Sequence, residues 1–256
     1  MSTNAFHESD PRRRFTGRVS HYVRYRPGYP EALFDCLVRE AGLDASCAVA
    51  DVGSGSGIFT RALLPRVGRV YAVEPNAEMR AAAERELGTM AGFISVEGTA
   101  EATRLPDLSV RLVVAAQAFH WFDPEAARRE FQRILEPGGR VALVWNSRVV
   151  DATPFMRAYE SLLRAESLDY ERVDHRRATR RLDGFFAERW HWTFDHERDL
   201  DWEASLGYML SASYVPPSGH PSHARIVEGL KRIFHAHARG GRVAWVYRAE
   251  LFLGIV

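Results

Sequence analysis

Residues 48–57 read Ala-Val-Ala-Asp-Val-Gly-Ser-Gly-Ser-Gly: an apolar run that closes on Asp51, then glycine at alternate positions 53, 55 and 57. Glycine reaches positive φ without the steric cost that other residues bear, so three of them in five positions mark a tight turn. The apolar run before the turn reads as a buried strand, and Ile58-Phe-Thr-Arg-Ala-Leu-Leu64 after it reads as a helix. A strand, a glycine turn and a helix start aim several backbone N–H groups at one spot, which suits a nucleotide-like cofactor. A chain built on this unit is committed to a mainly parallel sheet with helical crossovers.

The rest of the first half repeats the unit. Val70-Tyr-Ala-Val-Glu74 is a second apolar run ending on an acid, 23 positions after Asp51, where a doubly wound sheet presents a carboxylate to ribose hydroxyls. Glu74 is therefore the expected ribose ligand, and it also suits the start of a helix from Asn76 to about Leu87. A third strand, about Gly92 to Val96, runs into Glu97-Gly-Thr-Ala-Glu101, and a fourth, Val110 to Ala116, into Gln117-Ala-Phe-His-Trp-Phe122. Ligands of open parallel sheets bind beyond the carboxyl ends of the strands, so these strand ends converge on one crevice.

Glycine spacing narrows the cofactor. In the dinucleotide fingerprint a small residue stands three positions after the second glycine, and here that position is Ile58. The tighter Asp51-Val-Gly53-Ser-Gly55-Ser-Gly57 resembles the first motif of the class I S-adenosylmethionine-dependent methyltransferases. Leu135-Glu-Pro-Gly-Gly-Arg-Val-Ala-Leu-Val-Trp145 resembles the helix stop and fifth strand of the same family. The resemblance implies S-adenosyl-L-methionine as cofactor and S-adenosyl-L-homocysteine as product. It implies cofactor contacts at Asp51, Gly53, Ser54, Gly55 and Glu74, with Pro75 and Met79 on the adenine side. Thr99, Ala100 and Glu101 would border the adenine, whose amine suits a carboxylate acceptor, and Gln117, Ala118 and Phe119 would pass beside the sulfonium. One departure is Arg111, where the family often has an acid as the fourth strand begins.

Ahead of the sheet, Arg12-Arg-Arg14 is a solvated charge run, and an amphipathic helix ends near Ala41. Between them Tyr22-Val-Arg-Tyr-Arg-Pro-Gly-Tyr-Pro30 resembles a segment near the start of the trans-aconitate methyltransferase-like group, where it folds over the cofactor as a lid. This adds Tyr22 and Arg26 to the expected cofactor contacts, a phenol and a guanidinium on a segment stiffened by Pro27 and Pro30. Asp123-Pro124 is a helix start, with a capping carboxylate and proline at the first helical position. The aromatic residues just before it could hold a sulfonium by cation–π attraction, and His120 is the candidate general base. Trp121 is a candidate acceptor contact.

The second half departs from simple alternation. Residues 153–168 and 202 to about 213 read as helices, and Arg189 to Asp195 and Val243 to Leu253 as strands that complete the sheet. Leu206-Gly-Tyr-Met-Leu-Ser-Ala-Ser-Tyr214 resembles the family's substrate-facing helix, which implies acceptor contacts at Tyr208, Ser211, Ser213 and Tyr214. The expected fold is α/β: a Rossmann-like doubly wound seven-stranded, mostly parallel sheet, with an N-terminal helical lid and a helical insertion after strand 5. Residues 1–45 form the lid and first helix, 46–150 the cofactor-binding core, and 151–256 the cap with the last two strands.

Composition bounds the partners. The 256 residues are 46% hydrophobic and 26% charged, as in a globular chain, and the net charge of +1 offers no broad attraction to nucleic acid or anionic membrane. Cys36 and Cys47 show neither metal-ligand spacing nor a disulfide framework, and the pairs His220/His223 and His235/His237 lack a second ligand pair, so no metal is expected. No secretory leader or membrane span is read, which points to the cytoplasm and to a monomer or homodimer. The expected activity is methyl transfer to a small-molecule carboxylate or hydroxyl. A non-catalytic S-adenosylmethionine-binding protein and an NAD-type oxidoreductase are the alternatives.

Overall fold

The computed structural model describes residues 24–168, 170, 182 and 184–256. Among these residues there are seven strands: β1 Ala48–Val52, β2 Arg69–Val73, β3 Phe93–Val96, β4 Val110–Ala116, β5 Leu135–Arg148, β6 Glu188–Leu200 and β7 Val243–Ile255. Among the described residues the α-helices are α1 Glu31–Ala41, α2 Ile58–Leu63, α3 Ala77–Leu87, α4 Pro124–Ile134, α5 Pro154–Glu166, α6 Trp202–Leu210 and α7 His223–His237. The strands form one sheet in the order β3-β2-β1-β4-β5-β7-β6. The first five are mutually parallel, and β7 lies antiparallel between β5 and β6. This is a Rossmann-like doubly wound arrangement, with the order reversing between β1 and β4.

Alternate residues of the central strands face opposite layers, as the two-residue period of a strand requires. Val49, Leu112 and Val114 pack with Leu33, Phe34 and Leu37 of α1 and Phe59 and Leu63 of α2. Val52, Val113 and Trp145 pack on the other side with Phe119 and with Phe131 and Ile134 of α4. Burying such side chains on both faces is worth about 1.5–3 kcal/mol each, which explains why these strands read as near-continuous apolar runs. A third cluster joins α5, α6 and α7 to Trp245 and Tyr247 of β7, so the cap is anchored on the sheet's own long antiparallel strand.

Local signals set the helix starts. The Asn76 side chain accepts from the N–H groups of Glu78 and Met79, and Asp123 from those of Glu125 and Ala126. Thr153 and Asp201 cap α5 and α6 in the same way. The helix expected from 202 to about 213 stops at Leu210, and α7 was not anticipated. No helix of the described residues is long and apolar enough to cross a membrane.

Candidate functional site

At the carboxyl edge of the sheet the glycine turn opens a cavity of about 510 Å³ between the strand ends, the lid segment and the cap. Gly53 donates its N–H to Val73 O at 2.8 Å and Gly57 donates to Ser54 O at 3.0 Å, closing the turn. All three glycines have positive φ, and they divide the work. A Cβ at Gly53 would lie 2.5 Å from Ala118 Cβ, and one at Gly57 2.5 Å from Leu87 Cδ1; at Gly55 it would meet nothing within 4 Å. Gly53 and Gly57 are glycines for packing, whereas Gly55 leaves bare backbone beside open space.

Two acids stand beside that opening. Glu74 ends β2 with both oxygens engaged, Oε2 accepting from Gly55 N–H at 2.9 Å and Oε1 from Asn76 N–H at 2.8 Å. Each oxygen keeps a second lone pair for a further donor such as a ribose hydroxyl. Burial pushes its pKa up, although the two N–H groups and Arg80 pull against this. Asp51 is fully buried; its Oδ2 accepts from Thr60 Oγ1 at 2.6 Å, while its Oδ1 is buried with no hydrogen-bond partner among the described residues. Burial pushes the Asp51 pKa up to about 7, with the Thr60 hydroxyl opposing and the Glu74 charge reinforcing.

The other strand ends complete the near side of the cavity. Pro75, Met79, Thr99, Ala100, Glu101, Gln117 and Ala118 all line it, as do Asp51, Gly53, Ser54, Gly55 and Glu74. Gln117 sits at φ 57, an unusual left-handed conformation held by its N–H donating to Val144 O and its Nε2 donating to Asn146 O, both at 2.8 Å. Its Oε1 is buried with no partner among the described residues, as is Ser54 Oγ. Orphaned acceptors at Asp51 and Gln117, a free hydroxyl at Ser54 and bare backbone at Gly55 fit a polar, donor-rich ligand such as S-adenosylmethionine. His120 and Trp121 line the cavity from a 3₁₀ turn, their rings 4.7 Å apart.

Two expected contacts are corrected. Phe119 does not line the cavity: it is fully buried, packed edge-on against Trp145 and Phe185, because this one-turn element directs its first ring into the core. Ser211 is also fully buried and donates its hydroxyl to Tyr208 O at 2.6 Å, closing the end of α6. Its backbone carbonyl instead accepts from Arg26 Nη2 at 3.3 Å. Tyr22 lies outside the described residues, as does Arg12–Arg14. Arg26, Tyr208, Ser213 and Tyr214 line the cavity.

Sequence reasoning missed the far wall, where Asn146, Ser147 and Arg148 of β5 line the cavity with Tyr170. Asn146 donates from Nδ2 to Gly28 O at 2.9 Å and meets His196 Nε2 at 3.0 Å through Oδ1, tying the lid segment to the sheet. Arg148 donates to Tyr214 Oη at 3.0 Å and Tyr170 Oη at 2.6 Å. Arg26 lies over the Tyr208 ring, 5.6 Å from its centroid. Burial pushes the Tyr208 phenol up, but the Arg148 and Arg26 charges outweigh it, and its pKa is lowered overall. A polar residue near the end of a long apolar strand was the signal available for Asn146 and Arg148.

Sheet order, glycine turn and strand-end acid together define a Rossmann-like domain with a cavity at the carboxyl ends of its strands. Residues 50–143 match the family described as Methyltransferase domain. The chain is 41% identical over 134 residues to an uncharacterized methyltransferase of Mycobacterium tuberculosis, covering 52% of each chain. It is 34% identical over 153 residues to an uncharacterized methyltransferase-like protein of Schizosaccharomyces pombe, covering 58% of this chain and 57% of the other. The alignments thus span about half the length of these relatives. Over the whole fold the chain is similar to a proposed type II methyltransferase from Anaeromyxobacter dehalogenans, at TM-score 0.70 and 28% identity, covering 90% of this chain and 98% of that one.

Proposed function

We propose that the chain is an S-adenosylmethionine-dependent methyltransferase that methylates an oxygen, carboxylate or hydroxyl, of a small acceptor. The observation that carries this reading is the opening at Gly55 between Asp51 and Glu74, inside a segment that matches a methyltransferase domain. In this reading Glu74 binds the ribose, Asp51 Oδ1 and Ser54 the methionine tail, and Pro75, Met79, Thr99, Ala100 and Glu101 the adenine. S-adenosylmethionine, when bound, supplies an electrophilic methyl on a cationic sulfur. The chain supplies alignment and dryness: lid and cap exclude water, and the cavity walls hold the acceptor in line at contact distance. His120 takes the proton from a hydroxyl acceptor, whereas a carboxylate needs no base. The likeness of residues 22–30 to the trans-aconitate methyltransferase-like group supports small organic acids among the acceptors.

Calorimetry tests the cofactor. Stoichiometric binding of S-adenosylhomocysteine in preference to NAD is expected, and preference for NAD or no binding would overturn the proposal. Turnover is read as release of S-adenosylhomocysteine during incubation of the cofactor with candidate acids, phenols and amines. Full turnover of His120→Ala with a hydroxyl acceptor would remove the base role.

A further inference from the structure

Arg148 has more cation than its surroundings neutralise. Its side chain is 11% exposed at the cavity wall. Of its five N–H groups, Tyr214 and Tyr170 oxygens take two, the Tyr208 phenol is a further hydrogen-bond partner, and the Glu160 carboxylate lies 3.5 Å from Nη2. That carboxylate is shared: Arg164 lies 3.0 Å from its other oxygen, and the Tyr170 hydroxyl donates to it at 2.5 Å. One buried anion thus serves two arginines. The Arg148 Nε is buried with no hydrogen-bond partner among the described residues. A desolvated guanidinium with an unused donor edge is costly unless something completes it. Tyr159 adds only its ring, 5.2 Å from the guanidinium carbon.

The position along β5 gives this cation a meaning. Gln117 N–H bonds to Val144 O, so the end of β4 is level with residues 144 and 145. Arg148 stands three residues past Trp145, roughly 10 Å further along the strand at about 3.3 Å per residue. On the proposed methyltransferase reading, which this inference rests on, the Gln117 level is where methyl transfer occurs. A carboxylate neutralised and hydrogen-bonded by a guanidinium is a poor nucleophile, so a group seated on Arg148 is not the atom methylated. Arg26 approaches the Tyr208 ring at the same end of the cavity.

We infer that Arg148 is a specificity-determining residue: it docks a carboxylate of the acceptor in side-on, bidentate fashion through Nε and a remaining Nη–H, while a different atom of the same acceptor receives the methyl group. Tyr170 and Tyr214 are positioning residues that hold the guanidinium in plane.

The test screens a library of small carboxylic acids, each paired with its primary amide, against the full chain by saturation-transfer NMR, with and without S-adenosylhomocysteine. Acids are expected to outnumber amides among the binders, and their binding is expected to weaken by at least about tenfold in Arg148→Gln, the loss typical of a charge-assisted pair. Arg148→Lys, which keeps the charge without the planar fork, is expected to fall between the two. S-adenosylhomocysteine affinity, measured by calorimetry on each variant, is expected to be unchanged. The inference is overturned if amides bind as often as acids, if no acid binds, or if acids bind Arg148→Gln as well as the native chain. Should that variant fail to fold, the acid-to-amide preference of the native chain and the Arg148→Lys result decide. Loss of S-adenosylhomocysteine binding by the native chain would sink the cofactor reading separately, since the comparison without cofactor still judges Arg148.

Discussion

Asp51 and Glu74 show how one strand edge gives two carboxylates different work. Glu74 is satisfied by two backbone N–H groups and keeps lone pairs toward the cavity. Glu74→Ala is expected to weaken cofactor affinity by about 1–3 kcal/mol with the fold retained, checked by calorimetry and circular dichroism. Asp51 carries a pH signature instead. Its pKa of about 7 in the folded chain lies above the ordinary value of 3.8, so between those values the folded protein holds a proton that the unfolded chain releases. The advantage of this neutral form is fully present below about pH 4 and is lost as pH rises to 7, a decline of about 4 kcal/mol at ~1.36 kcal/mol per pH unit. Asp51→Asn, which cannot ionise, is expected to lack that decline, so its stability relative to the native chain rises between pH 4 and 7 in denaturant titrations. Both acids were legible because each closes an apolar run. Phe119 and Ser211 were misplaced because a motif names a neighbourhood, and the direction of each side chain within it depends on one turn of backbone.

At the level of elements, the glycine turn separates architecture from access. Gly57→Ala puts a methyl group against Leu87 at positive φ, and is expected to lower stability by about 2 kcal/mol or more. Gly55→Ala meets no atom, so it is expected to cost only about 1–2 kcal/mol for its backbone conformation. It should nevertheless weaken S-adenosylhomocysteine binding by more than Gly57→Ala does, once each variant is shown to be folded. Thermal unfolding and calorimetry on the pair check both statements. Strands β1, β2, β4 and the centre of β5 were readable because burial gives near-continuous apolar runs between turn residues, the partly exposed edge strand β3 because it continues the repeated unit, and α3 and α4 because Asn76 and Asp123 announce them. Helix α7 has histidines at both ends, His220 and His223 at or just before its start and His235 and His237 in its last turn, which obscure the Ile226, Leu230 and Phe234 stripe that packs on α5 and α6. The early stop of α6 has its cause in Ser211, whose hydroxyl turns back onto Tyr208 O.

Across the molecule, the site exists only because distant stretches meet: a lid segment before α1, five parallel strand ends, and a cap rooted on β7. The joint between lid and sheet is narrow. Asn146 joins Gly28, Gln117 and His196, and Tyr25 packs against Gly207 of α6, where a Cβ would collide with its ring. Asn146→Ala is expected to speed amide hydrogen exchange through residues 24–30 and to weaken S-adenosylhomocysteine binding, while exchange in β1 and β4 stays slow. This whole-molecule assembly was the least legible part of the chain. The far wall depends on β5 running past the parallel core into an antiparallel partnership with β7, and no local pattern marks how far a strand extends.

One aromatic placement has an optical consequence. Of the six tryptophans, Trp121 lines the cavity, whereas Trp145 and Trp245 are sealed in the interior. An indole at the rim of the hollow changes its emission when a ligand displaces water from beside it, so the native chain carries its own fluorescent reporter of occupancy, with Trp121→Phe as the silent reference.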